Sequence, residues 1–237
     1  MLFDALAAST TPPADMGAEG HRARMRERLL AAGPDALAEH EMLEMVLFLA
    51  LPRRDTKPIA RALLTRFGSF GLVIAAPLPD LLAIPDLGKA GAAALKLVQA
   101  AALRLLRASV LDRPVLANWN GVIDYLRACL AHERAEQFRV LFLDNRHRLL
   151  ADEVLGRGTV DHAPVYPREV VKRALELHAT ALILAHNHPS GDPTPSREDI
   201  AMTRAVRQAA EALRITVHDH VVVGSSGIAS FRSLGLL

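Results

Sequence analysis

The hydrophobic period of this 237-residue chain changes once, and the change limits what each half can become. From Arg22 to about Ser109, apolar residues recur three and four apart. The segments are RMRERLLAAG, DALAEHEMLEMVLFLAL, KPIARALLTRF, PDLLAI and AAALKLVQAAALRLLRA, punctuated by Gly and Pro. That spacing keeps apolar side chains on one face of a helix, so the first half reads as all-α. Beyond Leu111 to Pro114 the texture differs. One more amphipathic helix over 120–131 leads into the strand-like runs FRVLFLD, HRLLADEVL, TALILAHNH and ITVHDHVVVG, interleaved with helices over 167–178 and 197–214. Strands alternating with helices predict an α/β domain, a sheet flanked by helices. The expected organisation is a mobile tail over 1–20, a helical domain over 21–111 and an α/β domain over 112–237.

Composition narrows the chemistry. Apolar residues make up 51% of the chain, enough to bury a core, and 28 Lys plus Arg against 26 Asp plus Glu neither demand nor forbid a nucleic-acid partner. Cys129 is the only cysteine, which excludes an internal disulfide and any Cys-rich zinc cage, so a metal would have to be held by His and carboxylate. The N-terminal stretch has Asp4 where an export signal carries basic residues. The longest apolar run, Met42 to Leu51, is interrupted by Glu44 and falls short of the roughly 20 residues of a membrane span. These features lead us to expect a cytoplasmic protein without a membrane partner.

The chemistry concentrates in TALILAHNHPSGDPTPSRED. The segment begins as a buried strand, and because strand side chains alternate, His186 and His188 point to the same side at its end. Pro189 closes the strand, SGDPTP forms a turn-rich loop, and Ser196 stands where a helix N-cap belongs, which brings Asp199 into the first helical turn facing back toward the histidines. Two imidazoles and a carboxylate make three protein ligands, the number with which a catalytic zinc keeps a fourth position for water. Asp192, between Gly191 and Pro193, reads as a turn residue. His218, Asp219 and His220 form a second cluster on a later strand, better suited to hydrogen bonding toward metal-bound imidazoles than to a second metal. Cys129, on a predicted helix, reads as a small buried hydrophobe.

His186, His188, Pro189, Ser196 and Asp199 match, at the right spacing, the JAMM motif of the JAB/MPN metalloproteases. The longer string HNHPSGDPTPS, the downstream DHVVVG and the helical first half resemble the RadC family of bacterial JAB-domain proteins. The resemblance implies a JAB/MPN fold over 112–237, one zinc ion per chain on His186, His188 and Asp199, and hydrolysis of a peptide or isopeptide bond in a protein or peptide substrate. It also implies an oxyanion-stabilising role for the Ser196 hydroxyl and a general base on an earlier strand. The candidate base is Glu153, in a strand-like run before Gly156 and Gly158; Glu169 and Glu176 are rivals on what reads as helix surface.

In the first half, LLAIPDLGKAGAAALKL resembles a helix-hairpin-helix element, the kind that meets DNA phosphates through backbone N–H groups. Gly88 and Lys89 would face phosphate there, and Arg22, Arg24 and Arg26 could extend a basic patch, giving non-specific DNA as a possible partner. Asp86 stands where the element's first glycine belongs, and its carboxylate opposes phosphate binding. A compact helical packing module is the alternative. For the whole chain, a repair-linked nuclease and a non-catalytic MPN adaptor are the alternatives to the hydrolase.

Overall fold

The computed structural model describes residues 18–111, 114–158 and 165–237, so nearly all of the expected tail over 1–20 lies outside the described residues. Two compact units emerge, one comprising residues up to Ile74 with Pro79–Leu95, the other Ala75–Leu78 with Lys96–Leu237.

The first unit is helical, as the apolar spacing predicts. Helices α1 (Ala18–Ala32), α2 (Glu39–Ala50), α3 (Lys57–Phe67), α4 (Phe70–Ala75) and α5 (Leu78–Leu82) precede α6 (Gly88–Leu111), which belongs to this unit up to Leu95 and to the second from Lys96. Met25, Leu43, Leu47, Leu63, Leu81, Leu87 and Leu95 are fully buried and make its core. Arg22 is committed within this unit. Its guanidinium donates to the carbonyls of Pro52 and Arg54, the latter at 2.6 Å, and lies 4.4 Å over the Phe48 ring. These bonds satisfy carbonyls just beyond the end of α2, so Arg22 holds that turn rather than facing outward. Arg24, Arg26, Gly88 and Lys89 are exposed. In the turn before α6, Asp86 adopts a left-handed φ of 64°, a conformation Asp tolerates better than most residues. Its carboxylate lies 3.2 Å from Arg54, whose guanidinium also donates to the Asp86 carbonyl at 2.8 Å.

The second unit is built on a mixed five-stranded sheet. After α7 (Trp119–Leu130) come β1 (Gln137–Leu143), β2 (Leu149–Arg157), α8 (Pro167–Glu176), β3 (Ala181–Asn187), α9 (Arg197–Glu211), β4 (Thr216–Gly224) and β5 (Gly227–Ser230). The strand order is β2-β1-β3-β4-β5, with β3 and β4 parallel and the other pairs antiparallel. Because β3 is central and covered on both faces, all seven of its residues are buried, which explains its unbroken apolar start. Alternate residues feed two cores. Leu141, Ile183 and Val221 pack with Val122, Leu126 and Leu130 of α7, whereas Phe138, Leu182 and Leu184 pack with Val170 of α8 and Val206 of α9. The strand β5, too short to show a period, is a difference from the sequence expectation; it forms because Ser225 and Ser226 turn β4 back on itself in a two-residue hairpin. No helix among the described residues is long and apolar enough to cross a membrane.

That hairpin supports the loop after β3. His188 N donates to the Val223 carbonyl at 2.9 Å, and Ser226 donates to the Gly191 carbonyl through N at 3.1 Å and Oγ at 2.6 Å. A Cβ on Gly224 would stand 2.2 Å from the Gly191 oxygen and 3.0 Å from Pro193 N, both backbone atoms that cannot swing aside. Gly224→Ala is therefore expected to cost about 1–3 kcal/mol of stability, the range for overpacking, and to displace the loop carrying His188; denaturant unfolding monitored by circular dichroism checks it, and an unchanged midpoint would contradict this packing.

Candidate metal centre

His186 is the penultimate residue of β3 and His188 follows the strand's end, so both imidazoles emerge on the face covered by α8 and α9. Ser196 caps α9: its Oγ accepts from Asp199 N at 3.0 Å, while Ser196 N donates to Asp199 Oδ2 at 2.7 Å. This reciprocal capping box fixes the Asp199 carboxylate in the first turn, facing the histidines. His186 Nε2 lies 3.0 Å from His188 Nε2 and 3.2 Å from Asp199 Oδ1, and His188 Nε2 lies 3.2 Å from Asp199 Oδ2. The three expected ligands thus converge.

The other ring nitrogens decide what this convergence needs. His188 Nδ1 is 2.9 Å from the Asp192 carbonyl, an acceptor only, so Nδ1 carries the proton and Nε2 presents a lone pair. His186 Nδ1 is 2.7 Å from His220 Nε2, and His220 Nδ1 is 2.6 Å from Thr203 Oγ1, which in turn donates to the Asp199 carbonyl at 2.6 Å. Read back from that carbonyl, each step has one direction: the hydroxyl donates to Asp199, His220 Nδ1–H donates to the hydroxyl, and His186 Nδ1–H donates to His220 Nε2. His186 Nε2 is then also a lone pair. His220 is fully buried and its pKa is held well below the ordinary value by burial, with the neighbouring His186 adding to the effect, so it serves as a neutral link.

Two lone pairs and a carboxylate crowded within hydrogen-bonding distance form an electron-rich pocket that calls for a cation. Burial pushes the Asp199 carboxyl up, but when protons rather than a metal occupy the pocket, hydrogen bonds from His186 and His188 outweigh it and hold it well below the usual range. His188 is raised, chiefly by its bond to Asp199, against burial, with the Asp192 carbonyl and the charges of Asp199 and Glu136 contributing. Ligand atoms about 2.1 Å from a tetrahedral zinc would stand about 3.4 Å apart; the observed separations of 3.0 and 3.2 Å are close to that. The donor set fits a borderline-soft ion better than Mg²⁺, which prefers oxygen ligands.

The Asp192 carboxylate accepts from Thr194 N at 2.9 Å and Thr194 Oγ1 at 2.7 Å, the turn role expected of it, while its backbone carbonyl orients His188. Ser196 is exposed, and its hydroxyl proton is not used in the cap. Glu169 and Glu176 lie on α8 beside Arg168 and Arg173. Cys129 is partly buried against the core under α7, and burial raises its thiol pKa.

Glu153 pairs in register with Val140, which pairs with Leu184. Two strand spacings, about 10 Å, therefore separate it laterally from β3. Arg173 donates to both of its oxygens, at 2.8 and 2.6 Å, and that bidentate pairing lowers its pKa. A different carboxylate approaches the histidines. Phe138 pairs antiparallel with His186, so continuing the register by two residues sets Glu136 opposite His188, one strand spacing away. Asn187, only 1% exposed, brackets that position: its amide donates to the carbonyls of Glu133 and Ala135 and its Oδ1 accepts from Gln137 N at 2.9 Å. Glu136 stands one residue ahead of β1, and nothing short of the strand pairing singles it out.

The comparisons agree with this architecture. The model of the RadC-like JAB domain matches residues 116–236. A UPF0758 protein of Rhodobacter capsulatus is 59% identical over 213 residues, which are 90% of this chain and 100% of that protein. The chain belongs to the RadC family of JAB-domain proteins.

Proposed function

We propose that this protein is a zinc-dependent hydrolase of the JAMM type, cleaving an amide bond of peptide or isopeptide character in a protein or peptide substrate. The observation that carries the proposal is the convergence of two imidazole lone pairs and the Asp199 carboxylate, with both histidine Nδ1 protons engaged elsewhere. His186, His188 and Asp199 would hold the zinc, which would supply Lewis acidity and make a water more acidic.

The rest of the chemistry falls to the chain. Glu136 is the base of this proposal, taking a proton from the attacking water and passing it to the leaving amine, because it stands one strand spacing from His188. Glu153, the base expected from sequence, is held by Arg173 and serves as the comparison. The Ser196 hydroxyl, with its proton uncommitted in the helix cap, donates to the oxyanion that develops on the carbonyl. His220 and Thr203 keep His186 in the tautomer that offers Nε2. The retained ligand set speaks against a non-catalytic adaptor, and its imidazoles speak against a Mg²⁺ nuclease.

Purified protein is expected to carry about one zinc per chain, the stoichiometry of a site with three converging ligands. Elemental analysis of the His186→Ala/His188→Ala variant should find none, and stoichiometric zinc there would remove the site assignment.

Against a panel of peptide and isopeptide substrates, Glu136→Gln should retain zinc yet lose hydrolysis by about 10²–10⁴-fold, the usual contribution of a general base. Glu153→Gln should lose far less. The reverse ranking would return the base role to Glu153, and loss of zinc in Glu136→Gln would make that residue a ligand.

A further inference from the structure

Between the two histidines of the metal centre stands a residue whose side chain points away from both. Along β3, Leu182 and Leu184 pack on the face of α8 and α9, whereas Ile183 and Ala185 pack on the α7 face, so alternation turns Asn187 to the α7 side. There it is 1% exposed, a costly place for a carboxamide unless its hydrogen-bonding groups are met. One short segment meets them. Asn187 Nδ2 donates to the carbonyls of Glu133 at 3.2 Å and Ala135 at 3.1 Å, and Oδ1 accepts from Gln137 N at 2.9 Å.

These bonds stand where the backbone ladder ends. The pairing of β1 with β3 runs from Leu143 opposite Ala181 to Phe138 opposite His186. Beyond it the chain after β3 stays with β4, since His188 N donates to the Val223 carbonyl at 2.9 Å. The Asn187 carboxamide takes the ladder's place on this side of the segment ahead of β1. On the other side, the Glu136 carbonyl accepts from Gly158 N at 2.8 Å. Glu136 is therefore held from both flanks. Phe138 lies on the imidazole face, and by alternation Glu136, two residues earlier, faces the same way. A carboxamide suits this task because it donates twice and accepts once from one planar group; a carboxylate would oppose two carbonyls, and an aliphatic side chain would leave all three groups unmet.

We propose that Asn187 is the positioning residue of the base: from the far side of the sheet, its carboxamide sets where the Glu136 carboxylate stands relative to His188. The inference rests on the hydrolase reading above, in which Glu136 moves the proton. Because a displacement of about 1 Å can cost about 10²-fold in rate, the clamp acts on turnover and leaves the metal ligands alone.

Hydrogen exchange of the full-length protein, resolved to single amides, tests the clamp without a substrate. In Asn187→Ala the Gln137 amide loses its acceptor directly. The Gly158 amide, bonded to the Glu136 carbonyl, reports where Glu136 stands. Both are expected to exchange about tenfold faster, the worth of one hydrogen bond, with the amides of 140–143 unchanged and zinc content equal to that of the wild type. An unchanged Gly158 amide would overturn the proposal, and so would equal acceleration throughout β1, the mark of general loosening. Asn187→Ser, read by the same outcomes, takes over if Asn187→Ala does not fold. Hydrolysis supplies the second arm, with whichever peptide or isopeptide the wild type cleaves. Asn187→Ala should lower kcat by about 10–100-fold and leave KM within about twofold, yet cost nothing further in a Glu136→Gln background. Losses that multiply in the double variant would make Asn187 a structural residue and overturn its role. A wild type inactive on every substrate would count against the hydrolase reading alone, and the Gly158 amide would still decide whether Asn187 holds Glu136.

Discussion

A chain of hydrogen bonds ties the centre of the α/β unit together. His186 reaches His220, His220 reaches Thr203, and Thr203 reaches the carbonyl of Asp199, whose carboxylate stands 3.2 Å from His186 Nε2, back where the chain begins. The chain joins β3, β4 and α9 and is almost dry, with His186 and Thr203 each 1% exposed and His220 fully buried. In such surroundings a polar group without a partner is costly, so every member constrains the others. The parallel pairing of β3 with β4 brings His220 beside His186, and the capped start of α9 delivers Asp199 to the same place.

The two histidines are thereby set in an arrangement that could hold a metal ion. Each Nδ1 proton has an acceptor, His220 for one and the Asp192 carbonyl for the other, which leaves each Nε2 aimed at the carboxylate. Outer partners that set tautomer and ring orientation govern metal sites nearly as strongly as the ligands do. The loop carrying His188 is fixed as firmly, since Gly224 lies so close to the Gly191 carbonyl that the strand has no room for a methyl group there, and Gly191 itself holds a left-handed φ of 91°.

Membership of the RadC family and the JAB fold agree with this construction, in which β4 sends Asp219 to one face of the sheet and His220 to the other. One inserted residue in β4 accounts for this. Without the bulge at His218, Asp219 and His220 would exchange faces, and the hydrogen bond between His186 and His220 could not form.

By itself the sequence determined what local rules govern. Alternation along a strand put His186 and His188 on one side, Ser196 at the start of a polar run marked the N-cap of α9 with Asp199 in its first turn, and three-four spacing marked the helices of the first half. The tertiary structure decided what depends on pairing between distant segments. The register of β1 against β3 sets Glu136 opposite His188, and the pairing of Glu153 with Arg173 ties up the carboxylate that sequence favoured. Likewise, Arg22 looks like one member of a basic run until the fold brings Pro52, Arg54 and Phe48 to it. The physical reason is the same in each case: side-chain direction follows from the residue's own strand or helix, whereas its partner is chosen by a chain segment tens of residues away, whose register only the packed core specifies.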